Sequence, residues 1–194
     1  MSISTDDIKA LRQKTSVSIM QCKKALEDAD GDMEQAIVLL KKRAGAIAEK
    51  KSGRDLGAGT VMSYIHGGEV GSLVMLSCET DFVGKNKDFV ALAREIAMQV
   101  AASDAKYISD SEITPEAKEA AHKVFVEEVQ DKPEDMREKI LEGKMKSYFK
   151  DMVILSQPYI KDPSKTVADL LSEATQKFGE RIEITRIARF TVRG

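Results

Sequence analysis

The dipeptide Gly67-Gly68 restricts this chain more than any other feature. It sits inside "TVMSYIHGGEVGSLVMLSC", between two runs rich in Val, Ile, Leu and Tyr. A turn that tight needs positive φ at its centre, which glycine adopts without steric cost. The pattern predicts a β-hairpin with strands near 58–65 and 69–78. Downstream, the apolar period becomes helical. In "NKDFVALAREIAMQVAAS", Phe89, Ala93, Ile96, Ala97 and Val100 recur at helix spacing. Pro115 suits the first turn of a helix over "EAKEAAHKVFVEEV". Pro133 opens another over "EDMREKILEG", with Gly143 as the expected C-cap. "KMKSYFKDMVIL" then carries Met145, Tyr148, Phe149 and Met152 on one stripe. "SQPYIKDPSKT" reads as a loop with two prolines, followed by a helix from Ser164 to Phe178 that Gly179 stops. In "RIEITRIARFTVRG", Ile182, Ile184, Ala188, Phe190 and Val192 alternate with Glu183, Thr185, Arg189 and Thr191, predicting a third strand with one wet face. The expected fold class is α+β, a small antiparallel sheet with helices packed on one face.

The first fifty residues carry three helix starts. Ser4-x-x-Asp7, Ser18-x-x-Gln21 and Asp32-x-x-Gln35 are capping-box variants, and Asp30-Gly31 is a turn signal between the second and third. Ile8 and Leu11 form one apolar face. Met20, Cys22, Ala25, Leu26 and Ala29 form the next, and Met33, Ala36, Ile37, Leu39 and Leu40 the third. Three such helices bury one another in a bundle. Ser52-Gly53, Gly57 and Gly59 then mark a linker, giving two expected domains: a three-helix bundle over 1–52 and an α+β core over 53–194.

With 42% hydrophobic and 32% charged residues in 194, the chain has the material for a packed core. Its 32 acids against 30 bases exclude a generally cationic nucleic-acid binder. Charge is nevertheless uneven. Residues 41–54 hold Lys41, Lys42, Arg43, Lys50, Lys51 and Arg54 against one acid, Glu49, whereas residues 104–142 carry twelve acids and six bases. The basic run could contact RNA or the ribosome; a solvated helix end and linker explain it equally simply. Cys22 and Cys78 stand far apart without a CxxC pattern, and "MSISTDDIKAL" lacks the basic start and apolar run of an export signal. No segment approaches the roughly 18 apolar residues of a membrane span. The expectation is a cytoplasmic protein with two reduced thiols and no membrane contact.

A search for chemistry returns little. His66 and His122 are the only histidines. Cys78 and His66 flank one hairpin, but nothing recognisable would stabilise an oxyanion. No zinc-ligand spacing occurs, and Gly143-Lys144 lacks the earlier glycine of a phosphate loop. No metal, cofactor or enzymatic activity is expected. One stretch, "LSCETDFVGKN", is anomalous. An apolar strand ends in Asp81 and then a large aromatic, Phe82, where turns usually carry small polar residues. The residues alone admit two readings: Phe82 folds back into its own core, or it enters a partner's pocket as an apolar anchor.

Three separated segments, in order, resemble elongation factor Ts, the exchange factor of bacterial-type translation. They are "LRQKTSVSIMQCKKALEDADGDMEQAIVLLKKRA", "SCETDFVGKN" and "GKMKSYFKDMVILSQPYIKDPSKTV". The resemblance covers essentially the whole chain. It implies a UBA-like N-terminal bundle, a single core module, a homodimer, and elongation factor Tu as partner. It implies that Thr80, Asp81, Phe82 and Val83 enter elongation factor Tu beside the nucleotide and displace Mg²⁺. It further implies partner contacts at Arg12, Val17, Met20 and Lys23 in the bundle, at His66 on the hairpin, and at Phe178-Gly179. The chain departs from the family pattern at Ser16-Val17-Ser18, where Gly-Ala-Gly is usual, at Gln21, where an acid is usual, and at Gly84, where Ala is common. Gly84 is expected to loosen the turn, because glycine has more backbone freedom to lose.

Overall fold

The computed structural model describes residues 3–15, 17–131 and 133–192. Ser16 of the departure at 16–18 and the last two residues of the C-terminal strand motif lie outside them. The element order is α1 (Thr5–Thr15), α2 (Ile19–Asp28), α3 (Met33–Lys50), β1 (Ala58–His66), β2 (Val70–Cys78), α4 (Asp81–Gly84), α5 (Lys87–Ala102), α6 (Pro115–Glu128), α7 (Glu134–Met152), β3 (Pro158–Tyr159), β4 (Asp162–Thr166), α8 (Val167–Phe178) and β5 (Ile182–Thr191). The fold is α+β: N-terminal helices followed by a small antiparallel sheet, of order β1-β2-β5, with helices packed against it. Two compact units share the chain. One comprises Met1–Met62, Met75–Arg94 and Ala168–Thr185; the other comprises Ser63–Val74, Glu95–Val167 and Arg186–Gly194.

In the first unit the three helix starts are capped as their sequences dictate. Ser4 Oγ accepts from the Asp7 amide at 3.1 Å, and the Asp7 carboxylate accepts in return from the Ser4 amide at 3.2 Å. Ser18 caps α2, and Asp32 Oδ1 accepts from the Gln35 amide at 2.9 Å. Asp30 and Gly31 both take positive φ, which turns the chain between α2 and α3. Leu11, Val17, Cys22, Ala25, Leu26, Ala36 and Leu40 form the buried centre of the bundle. Met20, assigned by its sequence period to the apolar face of α2, is instead 83% exposed. The basic run is the end of a helix followed by a linker, as its sequence suggests. Helix α3 continues to Lys50, and the irregular segment begins only after it. Midway along, α3 is tied to α8: Gln176 Nε2 donates to the Leu40 carbonyl at 3.0 Å, and Lys41 pairs with Asp169 at 2.9 Å.

In the second unit, Gly67 and Gly68 have φ of 58° and 73°, and the Glu69 amide returns to the His66 carbonyl at 3.0 Å. Ser72 Oγ donates to the Ala97 carbonyl at 2.6 Å, fixing α5 beneath β2. Helices α6 and α7 pack through Ile113, Ala121, Phe149 and Val153, with Phe125 and Met145 against them. Gly143 is not a C-cap, because α7 runs through it. A mid-helix glycine costs about 1 kcal/mol relative to Ala, which the burial of Phe149 and Val153 beyond it outweighs. The two-proline loop is also more ordered than its sequence suggests. Pro158 pairs with Thr166 and Tyr159 with Asp162 in a two-stranded antiparallel ladder. Helix α8 therefore starts later than Ser164, at Val167. The Asp162 carboxylate accepts from the Ser164 amide and hydroxyl, a local bond that competes with helix. The alternation of β5 fails at its end. Phe190 and Val192 are 69% and 73% exposed, while the Arg189 guanidinium donates to the Ala101 carbonyl at 3.3 Å.

Candidate functional site

The anomalous segment after β2 forms a single helical turn, α4. Four residues cannot sustain a helix on their own, so the backbone is fixed from outside. Thr80 is the N-cap, its hydroxyl 3.5 Å from the Val83 amide. The Gly84 amide donates to the Thr80 carbonyl at 3.1 Å, and the Lys85 amide to the Asp81 carbonyl at 3.0 Å. Val83 is buried. Gly84 is buried against the backbone of Gly59: a Cβ there would lie 3.1 Å from the Gly59 nitrogen and oxygen. Gly84 thus lets two backbones meet closely, which seats the turn instead of loosening it.

The side chains alternate in direction. Val83 points in, and Phe82 points out, 81% exposed. Asp81 is also outward, and its bond and charge pairing with Lys85 at 2.7 Å hold its carboxyl below the ordinary range. The ring does not fold back into its own core, which removes the first of the two readings left by the residues.

Beneath the turn lies a charged cluster that no local motif announces. The Glu180 carboxylate accepts from the Glu79 and Thr80 amides, each at 3.1 Å, and from the Thr80 hydroxyl at 2.6 Å. Glu79 accepts from the Arg181 amide at 2.7 Å, from Lys51 at 2.9 Å and from Arg54 at 2.6 Å. Burial opposes ionisation of Glu79, but the Arg181 amide, Lys51 and Arg54 outweigh it, and its carboxyl is lowered to about 2. Lys51 also donates to the Gly179 carbonyl. Gly179 ends α8 in the left-handed region, φ 69°, as its place in the sequence predicts. The structure therefore joins Thr80–Val83 to the Phe178-Gly179 corner, about a hundred positions away in the chain. Phe178 itself is half-buried, edge-on to Phe89 with ring centroids 6.1 Å apart.

The other expected contacts fall elsewhere. In the bundle, Arg12, Met20 and Lys23 are exposed, with Lys23 3.7 Å from Glu27, while Val17 is fully buried among the helices. On the hairpin, His66 is exposed and stacks on Tyr64, whose hydroxyl lies 3.1 Å from its Nδ1. Four of the six bases of the 41–54 run have carboxylate partners: Lys41 with Asp169, Arg43 with Asp28, and Lys51 and Arg54 with Glu79. Cys78 is buried, its thiol donates to the Thr80 carbonyl at 3.2 Å, and burial together with Glu180 pushes its pKa up, the reverse of nucleophile activation. Among the described residues no three of His, Cys, Asp and Glu converge as a metal site, and no helix is long and apolar enough to cross a membrane.

An exposed aromatic thus stands on a backbone clamped by Glu180, Gly59 and the buried Val83. The chain belongs to the elongation factor Ts family, whose model, described as Elongation factor TS, matches residues 7–194. It is 42% identical over 193 residues to the elongation factor Ts of Thermodesulfovibrio yellowstonii, covering 99% of this chain and 97% of that one. It is 45% identical over 198 residues to that of Leptospira biflexa, covering both chains in full. To that of Finegoldia magna it is 43% identical over 200 residues, covering 98% of this chain and 89% of the relative.

Proposed function

We propose that this protein is a guanine-nucleotide exchange factor for elongation factor Tu that works by contact and not as an enzyme. Family membership supplies the class of activity and the partner. The observation that carries the mechanism is Phe82, four-fifths exposed above a buried Val83. Phe82 and Asp81 enter the partner beside its nucleotide, while Thr80 and Val83 hold them at a fixed angle. Mg²⁺ tolerates little departure from octahedral geometry, so a small displacement of its ligands weakens the nucleotide's hold. The factor must bind the nucleotide-free partner more tightly than the GDP-bound one, and linkage makes GDP weaken the factor's binding by the same ratio. Seating one Phe is worth about 1.5–3 kcal/mol, enough for one to two orders of magnitude.

Arg12, Met20 and Lys23 form the second contact, from a bundle (residues 1–52) whose buried Val17 supports them. His66 and the Phe178-Gly179 corner complete the set. The core, 53–194, also serves dimerisation: Ile65, Leu73, Phe190 and Val192 are large apolar side chains exposed within one unit, a surface suited to a second copy. The cytoplasm, where this partner works and thiols stay reduced, is the compartment. Pairing of most of the 41–54 bases with carboxylates counts against an RNA- or ribosome-binding role.

The test is stopped-flow release of a fluorescent GDP analogue from elongation factor Tu. Catalytic amounts of the parent accelerate release, and Phe82→Ala lowers that acceleration by about 10- to 100-fold with thermal unfolding unchanged. A Phe82→Ala protein as active as the parent would refute the wedge.

A further inference from the structure

We infer that Glu180 is the positioning residue of the exchange turn, setting the angle at which Phe82 is presented; this rests on the wedge reading above. Phe82 is too exposed for its own chain to fix the direction of its ring. Its backbone must be fixed on both flanks. On the C-terminal flank the buried Val83 and the Gly84–Gly59 approach do this. On the N-terminal flank the cap alone is weak, since Thr80 Oγ1 lies 3.5 Å from the Val83 amide.

Glu180 supplies what is missing. Its Oε2 accepts from two successive amides, Glu79 and Thr80, and its Oε1 accepts from the Thr80 hydroxyl at 2.6 Å. With that proton directed at the carboxylate, the hydroxyl's lone pairs are left for the Val83 amide. One carboxylate thus immobilises the last two residues before the turn and also orients the cap within it. Bonds from neutral donors to an ionised acceptor are the stronger kind, and linked bonds reinforce one another. Glu180 directly follows Gly179, whose carbonyl accepts from Lys51, and Lys51 also pairs with Glu79. The corner after α8 and the turn after β2 therefore form one rigid docking piece. Exchange then depends on Glu180 although it lies under the turn and not on the docking ring.

The chain contains no tryptophan, so Phe82→Trp places a single indole reporter at the tip. Glu180→Ala in that background should lower the anisotropy of the indole by adding motion of its backbone to that of the side chain, while Glu180→Gln, which keeps one acceptor oxygen, falls between. In the GDP-release assay, Glu180→Ala in the parent should cut the acceleration about tenfold, with partial rescue by Gln. In a Phe82→Ala background the same substitution should cost less than about twofold, because a positioning residue has nothing left to position. Equal indole mobility with Glu and with Ala at 180, or losses that multiply in full in the double variant, overturns the inference. So does a fully active Glu180→Ala beside an impaired Phe82→Ala. If Glu180→Ala does not fold by circular dichroism, the isosteric Glu180→Gln is read by the same criteria. Failure of the wedge reading looks different: Phe82→Ala matches the parent whatever stands at 180.

Discussion

The molecule contains two tight turns built on opposite principles. At the hairpin, Gly67 and Gly68 take φ of 58° and 73°, and the bond that closes the turn runs from Glu69 to His66, three residues apart. Its conformation is written inside it, although the Glu69 carbonyl also accepts from the Val192 amide at 3.0 Å. At α4, the specification comes from outside. Glu180 grips it from a hundred residues downstream and Gly59 floors it from β1, while Val83 plugs it from within. A turn written locally takes its conformation from its own residues. A turn held by distant groups has a direction, because its orientation is set relative to the body that holds it. Only the second kind can aim a side chain such as Phe82.

Among substitutions at glycines of the two turns and their supports, the largest effect on stability should come at Gly59, where β1 meets β2. A Cβ at Gly59 would lie 2.3 Å from the Leu76 carbonyl oxygen, and its φ is 156°. Gly59→Ala is expected to destabilise the protein by about 2–4 kcal/mol, from overpacking plus backbone strain. Urea unfolding measures it, and a cost below ~1 kcal/mol would show that β1 and β2 do not approach this closely at Gly59. At the locally specified turn, Gly67→Ala meets open space and only the penalty of left-handed backbone, about 1–2 kcal/mol. Gly67→Asn should recover much of that, since Asn tolerates this region. Equal losses for Ala and Asn would argue against a purely local turn.

A third test uses pH. The Glu79 carboxyl is lowered to about 2 in the folded protein, from an ordinary 4.5. Between these values the unfolded chain binds the proton and the folded one does not. The stability contributed by Glu79 is therefore complete above 4.5 and lost as pH falls to about 2. The loss is on the order of tenfold in the folding equilibrium per pH unit at most. Unfolding curves of the parent and Glu79→Gln should converge as pH drops through this window; parallel curves would show that the carboxylate is not held as its partners imply. The smallest effect on stability belongs to the tip. Phe82→Ala removes a ring that is four-fifths exposed, so its unfolding free energy should stay within ~0.5 kcal/mol of the parent. Phe89→Ala, at a fully buried ring seven residues on, should cost about 3–5 kcal/mol.

These contrasts follow what could be read in the residues. Helix starts were legible because a cap is a three-residue affair: Ser4, Ser18 and Asp32 each bond the amide expected of them. Helix ends were less so. Gly143 carries the sign of a stop, yet α7 passes through it to reach the packing of Phe149 and Val153. The last residues of β5 resisted for a related reason: alternation predicts a buried Phe190, but the ladder turns Arg189 inward.

The sequence by itself determined the periodic elements, the Gly-Gly hairpin, the helix caps and the presence of an aromatic where a turn should be polar, because each depends on residues within a few positions of one another. Tertiary structure decided the rest: that Phe82 points to solvent while Val83 does not, that Gly84 seats the turn, and that Glu180, Glu79 and Lys51 grip it. Those outcomes depend on which backbones approach most closely and which carboxylates meet which amides. Such distances are fixed only when segments far apart in the chain are packed together.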